Sequence, residues 1–185
     1  MNTRTKNALI LGAVLLLLAG LLSWVAKQRG ELHLQSTALD AIPGGALLVA
    51  RGDLTKLRKT PFAQVLLGEG REIPGLGKVR DVCGMDPLDA MHELVLAIPA
   101  AGEEGDFGIA ASGDVDDNAL VACASKVIEA RGGRPVVTPI GEFRCVRDAT
   151  LAATGGEIAV RKGGPVLLGA GPYLRAMIDA AVGRG

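Results

Sequence analysis

An unbroken apolar run covers residues 8–26, ALILGAVLLLLAGLLSWVA, and contains no charged side chain. A helix of this length rises roughly 28 Å, which is close to the hydrocarbon thickness of a bilayer. The run therefore predicts a transmembrane helix. It divides the chain into a tail (1–7), the helix (8–26), a polar juxtamembrane linker (27–39) and a soluble domain (40–185).

The flanks of the run favour an anchor over a cleaved signal peptide, the alternative for a basic N-terminus followed by an apolar stretch. The run is longer than a signal-peptide core, and Trp24 occupies the exit where cleavage needs a small residue. Trp24, Lys27 and Arg29 are predicted to lie at the membrane interface. Basic residues on the short N-terminal side favour a cytoplasmic N-terminus and an extracytoplasmic C-terminal domain.

The charge balance argues against nucleic acid as a partner, because 20 basic and 20 acidic residues give a net charge of zero. The charges are nevertheless segregated along the chain. Residues 81–125 contain ten acidic residues and no lysine or arginine. Two interpretations stay open: neutralisation by neighbouring segments within the fold, or a polarised surface that binds a basic partner or a second copy.

The soluble part shows the alternation of strand and helix patterns that is typical of an α+β domain. A buried strand is predicted over 46–50, directly after the turn at 43–45. Apolar periodicity predicts a helix from Asp116 or Asp117 to Gly132 and a last helix from Gly171. Further strands are expected over 93–98, 107–111, 135–138, 142–147, 157–161 and 166–168.

The order strand–helix–strand–strand–helix–strand over residues 46–138 is that of a ferredoxin-like split βαβ unit. We therefore expect an antiparallel-sheet domain with a ferredoxin-like core, helices packed on one face, and the later strands and last helix extending or covering the sheet.

Asp114, Asp116 and Asn118 have the spacing with which a calcium loop begins. Ala119 and Ser125 replace the glycine and the glutamate that such a loop needs. A helix N-cap with acidic residues in its first turn is the simpler interpretation. These three residues are weak metal candidates, and no metal or cofactor is expected.

The three cysteines match no metal-binding spacing. In an extracytoplasmic domain one disulfide can form. Cys83–Cys123 is the favoured pair, while Cys123–Cys145 and the absence of any bridge stay open as alternatives.

Catalytic signatures are missing from the sequence, so no catalytic residue is assigned. The histidines are limited to His33 and His92, and no serine lies in a Gly-x-Ser-x-Gly elbow. An enzyme would need a pocket that joins His92 to a carboxylate.

Several short motifs follow one another in a recognisable order between residues 40 and 125. Ile42-Pro43 and ALLV precede the Asp53–Leu57 segment, and Gly84-Met-Asp-Pro87 follows later. This succession resembles a group of single-span, secreted or envelope-anchored bacterial proteins that have an IP-x-x-A-x-x-V strand, a DL-x-x-L helix and a G-x-DP turn. The resemblance implies an extracytoplasmic domain and no activity.

The sequence therefore predicts a single-pass protein of the bacterial inner membrane. Its extracytoplasmic domain is expected to be a structural or protein-interaction module, with the lipid bilayer and either a protein partner or a second copy as its contacts. The alternative is a small-ligand or divalent-cation sensor that uses the acidic segment 81–117.

Overall fold

Short strands separated by tight turns dominate the computed structural model, which describes residues 37–61, 63, 72–73, 76–100, 107–151 and 155–184. The strands are β1 (Ala46–Asp53), β2 (Glu72–Ile73), β3 (Gly77–Lys78), β4 (Met91–Pro99), β5 (Gly108–Gly113), β6 (Pro135–Ile140), β7 (Phe143–Asp148), β8 (Glu157–Val160) and β9 (Val166–Gly169). The α-helices are α1 (Leu54–Leu57), α2 (Val79–Cys83), α3 (Asp117–Ala130) and α4 (Gly171–Ala181), and 3₁₀ helices cover Leu39–Ala41 and Pro87–Ala90.

Seven of these strands form one antiparallel sheet in the order β1-β4-β5-β9-β8-β7-β6, and β2 pairs with β3 separately. The predicted α+β class and antiparallel sheet are confirmed. The ferredoxin-like core is wrong, because that arrangement places its fourth strand, predicted at 135–138, directly beside the first strand. Here β6 lies at the opposite edge from β1, and β9 returns to pair with β5.

Helices cover both faces of the sheet, so the prediction that they pack on one face is also wrong. Adjacent residues of β7 show this, because side chains alternate across a strand. Arg144 contacts Asp117 and Asn118 of α3, whereas Cys145 lies 3.7 Å from Nη1 of Arg175 on α4. We call the α4 side the front face and the α3 side the back face.

The main core lies on the front face, where α4 packs across the centre of the sheet. Its fully buried members include Val95, Ala110, Phe143, Cys145, Leu167, Leu174 and Met177. A side chain at Gly108 would overlap Met177 and Tyr173, so this glycine lets α4 lie directly against β5. The last helix therefore holds the middle strands together.

A smaller core lies on the back face. Leu54, Met91 and Ala111 are buried there, and α1 and the 3₁₀ helix Pro87–Ala90 cover them. Arg58 fixes α1 by donating to the carbonyl oxygens of Leu88, Asp89 (3.1 Å) and Met91 (2.8 Å).

The described chain begins on the front face. Ala38 and Ala41 are fully buried in the front-face core, so Thr37–Leu39 belong to the folded unit rather than to the predicted linker 27–39. The predicted helix 8–26 and the interface residues Trp24, Lys27 and Arg29 lie outside the described residues. Within the described ranges no helix is long and apolar enough to cross a bilayer.

Candidate functional site

An open polar cleft of about 690 Å³ lies where β1 ends, β4 begins and β5 ends. Its lining combines two carboxylates with two cations, a histidine and two hydroxyls: Arg51, Asp53, Thr55, Lys56, His92, Glu93 and Ser112. The formal charges of the acidic and basic groups cancel while His92 is neutral. The cleft therefore has no net charge to attract an ion.

Glu93 is the centre of this cleft, with a side chain that is only 12% exposed. Its Oε2 accepts hydrogen bonds from the Ala38 N–H and the Ser112 hydroxyl, each at 3.2 Å. Its Oε1 forms an ion pair with Arg51 Nε. A charge this deeply placed needs such partners, because an unpaired buried carboxylate is strongly destabilising. Glu93 thus joins β1, β4, β5 and the entering chain.

Asp53, Lys56 and His92 of the cleft also have partners. Asp53 caps α1 by accepting from the Lys56 N–H at 3.0 Å, and this hydrogen bond lowers the pKa of its carboxyl. His92 Nε2 lies 3.6 Å from Asp114 Oδ2 on the surface. The Ser112 hydroxyl donates to Glu93 and not to His92, so these residues do not form a nucleophile–base pair.

The structure separates the three weak metal candidates. Asp116 caps α3 by accepting from the Ala119 N–H at 2.8 Å, Asn118 accepts from Arg144 at 2.9 Å, and Asp114 faces His92. In the part of the chain that the structure describes, no three metal-binding side chains come together.

Three acidic residues of the segment 81–117 are paired with arginines that precede or follow the segment. Asp89 binds Arg80 at 2.6 Å, Glu93 binds Arg51, and Asp117 binds Arg144. These contacts fit neutralisation within the fold, the first of the two interpretations of the charge segregation.

The cysteines lie on both sides of the sheet. Cys83, at the end of α2, forms a disulfide with Cys123 of α3, and their Cα atoms are 4.6 Å apart. Cys145 is a free, buried thiol on the front face, and burial raises its pKa. The bridge thus fastens α2 to the long back-face helix.

The edge strand β1 is the most exposed apolar element that the structure describes. Leu47, Leu48 and Val49 are 75%, 50% and 44% exposed, and Ile98 beside them on β4 is 37% exposed. The predicted strand at 46–50 is present, but it is not buried. Among the described residues, β1 pairs with β4 alone.

The opposite edge of the sheet is built differently. Pro135 and Pro139 lie in β6, and proline has no N–H to offer to another strand. Such residues protect edge strands against association, whereas β1 contains neither proline nor lysine. The two edges therefore differ in their capacity to accept a further strand.

The cleft joins His92 to the carboxylates Asp53 and Glu93, which is the arrangement an enzyme would need, but sequence reasoning missed the partners of Glu93 and the open edge. Glu93 was the first residue of a predicted strand, and nothing local indicates that Ala38 and Ser112 meet it. An apolar run such as Ala46–Ala50 has the same composition in a buried strand and an exposed edge strand.

No protein-family model and no curated protein matches the chain. The solved structure of TP0453 in crystal form III is similar in fold, with a TM-score of 0.51 and 11% sequence identity. The match covers 78% of this chain and 51% of that chain, so this chain spans about half the length of TP0453. At this identity the similarity shows the α+β fold alone. The resemblance to envelope-anchored bacterial proteins stays a prediction.

Proposed function

We propose that this chain is a membrane-anchored interaction module of the bacterial cell envelope, with a non-catalytic domain that binds a protein through the edge of β1. The observation that carries the proposal is the exposure of Leu47, Leu48 and Val49 on a strand that, among the described residues, is paired on one side alone. An open apolar edge strand is a template for pairing with another chain. Such pairing would satisfy the backbone N–H and C=O groups of this edge and cover part of these side chains.

The anchor in this proposal is the apolar run 8–26, with the N-terminus in the cytoplasm. The Cys83–Cys123 disulfide supports an extracytoplasmic domain, because structural disulfides persist in oxidising compartments. The engagement of the cleft residues with one another supports a structural role for the cleft.

Fractionation and protease protection test the anchoring. We expect the full chain to sediment with membranes and to resist alkaline carbonate. In intact spheroplasts, added protease should remove the C-terminal domain and spare the N-terminus. Recovery of the protein in the supernatant, or protection of the domain until the cells are lysed, would contradict the anchored arrangement.

Crosslinking from native membranes tests the binding edge. The matched variants are Leu48→Lys on β1 and Thr138→Lys on β6, since both positions are exposed strand residues. Leu48→Lys should abolish the adducts of the parent chain, because a charge on an edge strand opposes pairing. Thr138→Lys should preserve them. Equal adducts in both variants would show that the β1 edge binds no partner.

A further inference from the structure

The edge of β1 also indicates what it pairs with. We propose that the partner is a second copy of this chain, bound by antiparallel β1–β1 pairing that joins two seven-stranded sheets into one. This inference rests on the proposed function, because it identifies the partner of the same edge.

The charges of β1 are compatible with antiparallel pairing of the two strands. Antiparallel pairing with Val49 opposite itself sets Leu48 against Ala50 and Leu47 against Arg51. No like charges are then opposed, and the aliphatic part of Arg51 can cover the most exposed leucine.

The position at which the chain enters the fold favours antiparallel pairing. Antiparallel pairing of identical strands has a two-fold axis perpendicular to the sheet, so both front faces lie on the same side. The described chain begins on the front face, where Ala38 is buried, and 36 residues precede Thr37 in each copy. Both copies can therefore lead back to one bilayer through residues 27–36, which span at most roughly 35 Å when extended.

Parallel pairing would have the opposite consequence. Its two-fold axis runs along the strands and turns the front face of one copy away from that of the other. The two N-terminal segments would then leave from opposite sides of the joined sheet. Attachment to one membrane also raises the local concentration of the copies, which favours association between them.

A cysteine at position 49, the residue that lies opposite itself in the proposed pairing, tests the inference. The experiment uses the full chain reconstituted in phosphatidylcholine vesicles. Directly opposite Cα atoms of antiparallel strands lie about 4.5 to 5.5 Å apart, within the range of a disulfide. Val49→Cys should give a covalent dimer of twice the 19.0 kDa chain under mild oxidation. The parent chain, with Cys145 buried, and Thr138→Cys on the other edge should stay monomeric on the same gel.

A photo-crosslinking benzophenone amino acid at position 49, used in native membranes, separates this inference from the proposed function. An adduct of doubled chain mass supports the second copy, and adding Leu48→Lys should lower its yield about tenfold or more. An adduct of another mass, without a Val49→Cys dimer, overturns the second copy and leaves the interaction module standing. The absence of both an adduct and a dimer overturns both.

Discussion

Glu93 holds the first described residues of the chain, around Ala38, against the sheet. Its carboxylate accepts from Ala38 and Ser112 and pairs with Arg51, so that one side chain on β4 contacts three other segments. Arg51 is 61% exposed, and solvent weakens its ion pair. The two hydrogen bonds are therefore the larger part of the stabilisation.

We expect Glu93→Ala to lower the free energy of unfolding by about 1 to 3 kcal/mol, because it leaves the Ala38 N–H and the Ser112 hydroxyl without an acceptor. Urea denaturation followed by circular dichroism measures the change. Asp114→Asn is the control: its side chain is 90% exposed and its loss should change stability by less than about 0.5 kcal/mol. Equal effects of the two substitutions would show that Glu93 does not hold the entering chain.

Asp148, at the end of β7, gives a prediction about pH. Its Oδ1 accepts from the Thr150 hydroxyl (2.7 Å), the Thr150 N–H (2.9 Å) and the Arg134 N–H (3.0 Å). The Thr150 hydroxyl is the largest cause of the lowered pKa of this carboxyl. A lowered folded-state pKa stabilises the fold above the unfolded-state pKa, and this stabilisation is lost as pH falls through the folded-state pKa.

Thr150→Ala should therefore raise the pKa of Asp148 and reduce the loss of stability in that acid range. NMR titration of the Asp148 carboxyl carbon measures the pKa directly. Thr138→Ala, which removes a hydroxyl from the exposed edge strand β6, should leave the pKa of Asp148 unchanged. The same pKa in Thr150→Ala and the parent chain would contradict the assigned cause.

At the scale of elements, the disulfide is the covalent link between α2 and α3. Cys83 and Cys123 are 40 residues apart, and closing a loop of this length contributes roughly 3 to 4 kcal/mol in the chain-entropy description. The bridge lies on the back face, which α4 does not cover, and it fixes α2 to α3 there.

We expect the double substitution Cys83→Ala and Cys123→Ala to lower the free energy of unfolding by roughly 3 kcal/mol. The parent chain in reductant is the matched control and should lose a similar amount. Alkylation of the unfolded, unreduced parent chain should label Cys145 alone, and mass spectrometry counts the labels. Three labelled thiols would show that the bridge does not form.

The strands themselves could be predicted from the sequence, but their order could not. All seven strands of the sheet lie within a few residues of the predicted ranges, because alternation and turn residues are local signals. The pairing of β5 with β9 joins residues 108–111 to residues 166–169, and no local signal specifies it. The same holds for Glu93, whose partners come from residues 38, 51 and 112.

At the scale of the whole molecule, the folded unit begins before the predicted boundary at residue 40. The chain divides into Met1–Gln35 and Ser36–Gly185, and the second unit includes the buried Ala38. A fragment of residues 36–185 should therefore be more stable than a fragment of residues 40–185 by about 1 to 2 kcal/mol, which reflects one buried methyl group and one hydrogen bond.

Urea denaturation of the two fragments measures this difference. Adding Glu93→Ala to both fragments is the control, because it removes the acceptor that the longer fragment uses. The difference between the fragments should then shrink to the contribution of the methyl group. Equal stabilities without the substitution would place residues 36–39 outside the folded unit.

The central position of β9 has a consequence for biosynthesis. The strand is the last of the sheet in chain order, yet it lies between β5 and β8. A nascent polypeptide therefore carries two separate half-sheets until residues 166–169 have been synthesised. Premature termination upstream of Val166 would leave β5 and β8 with unpaired edges, and such products should be readily degraded by proteases.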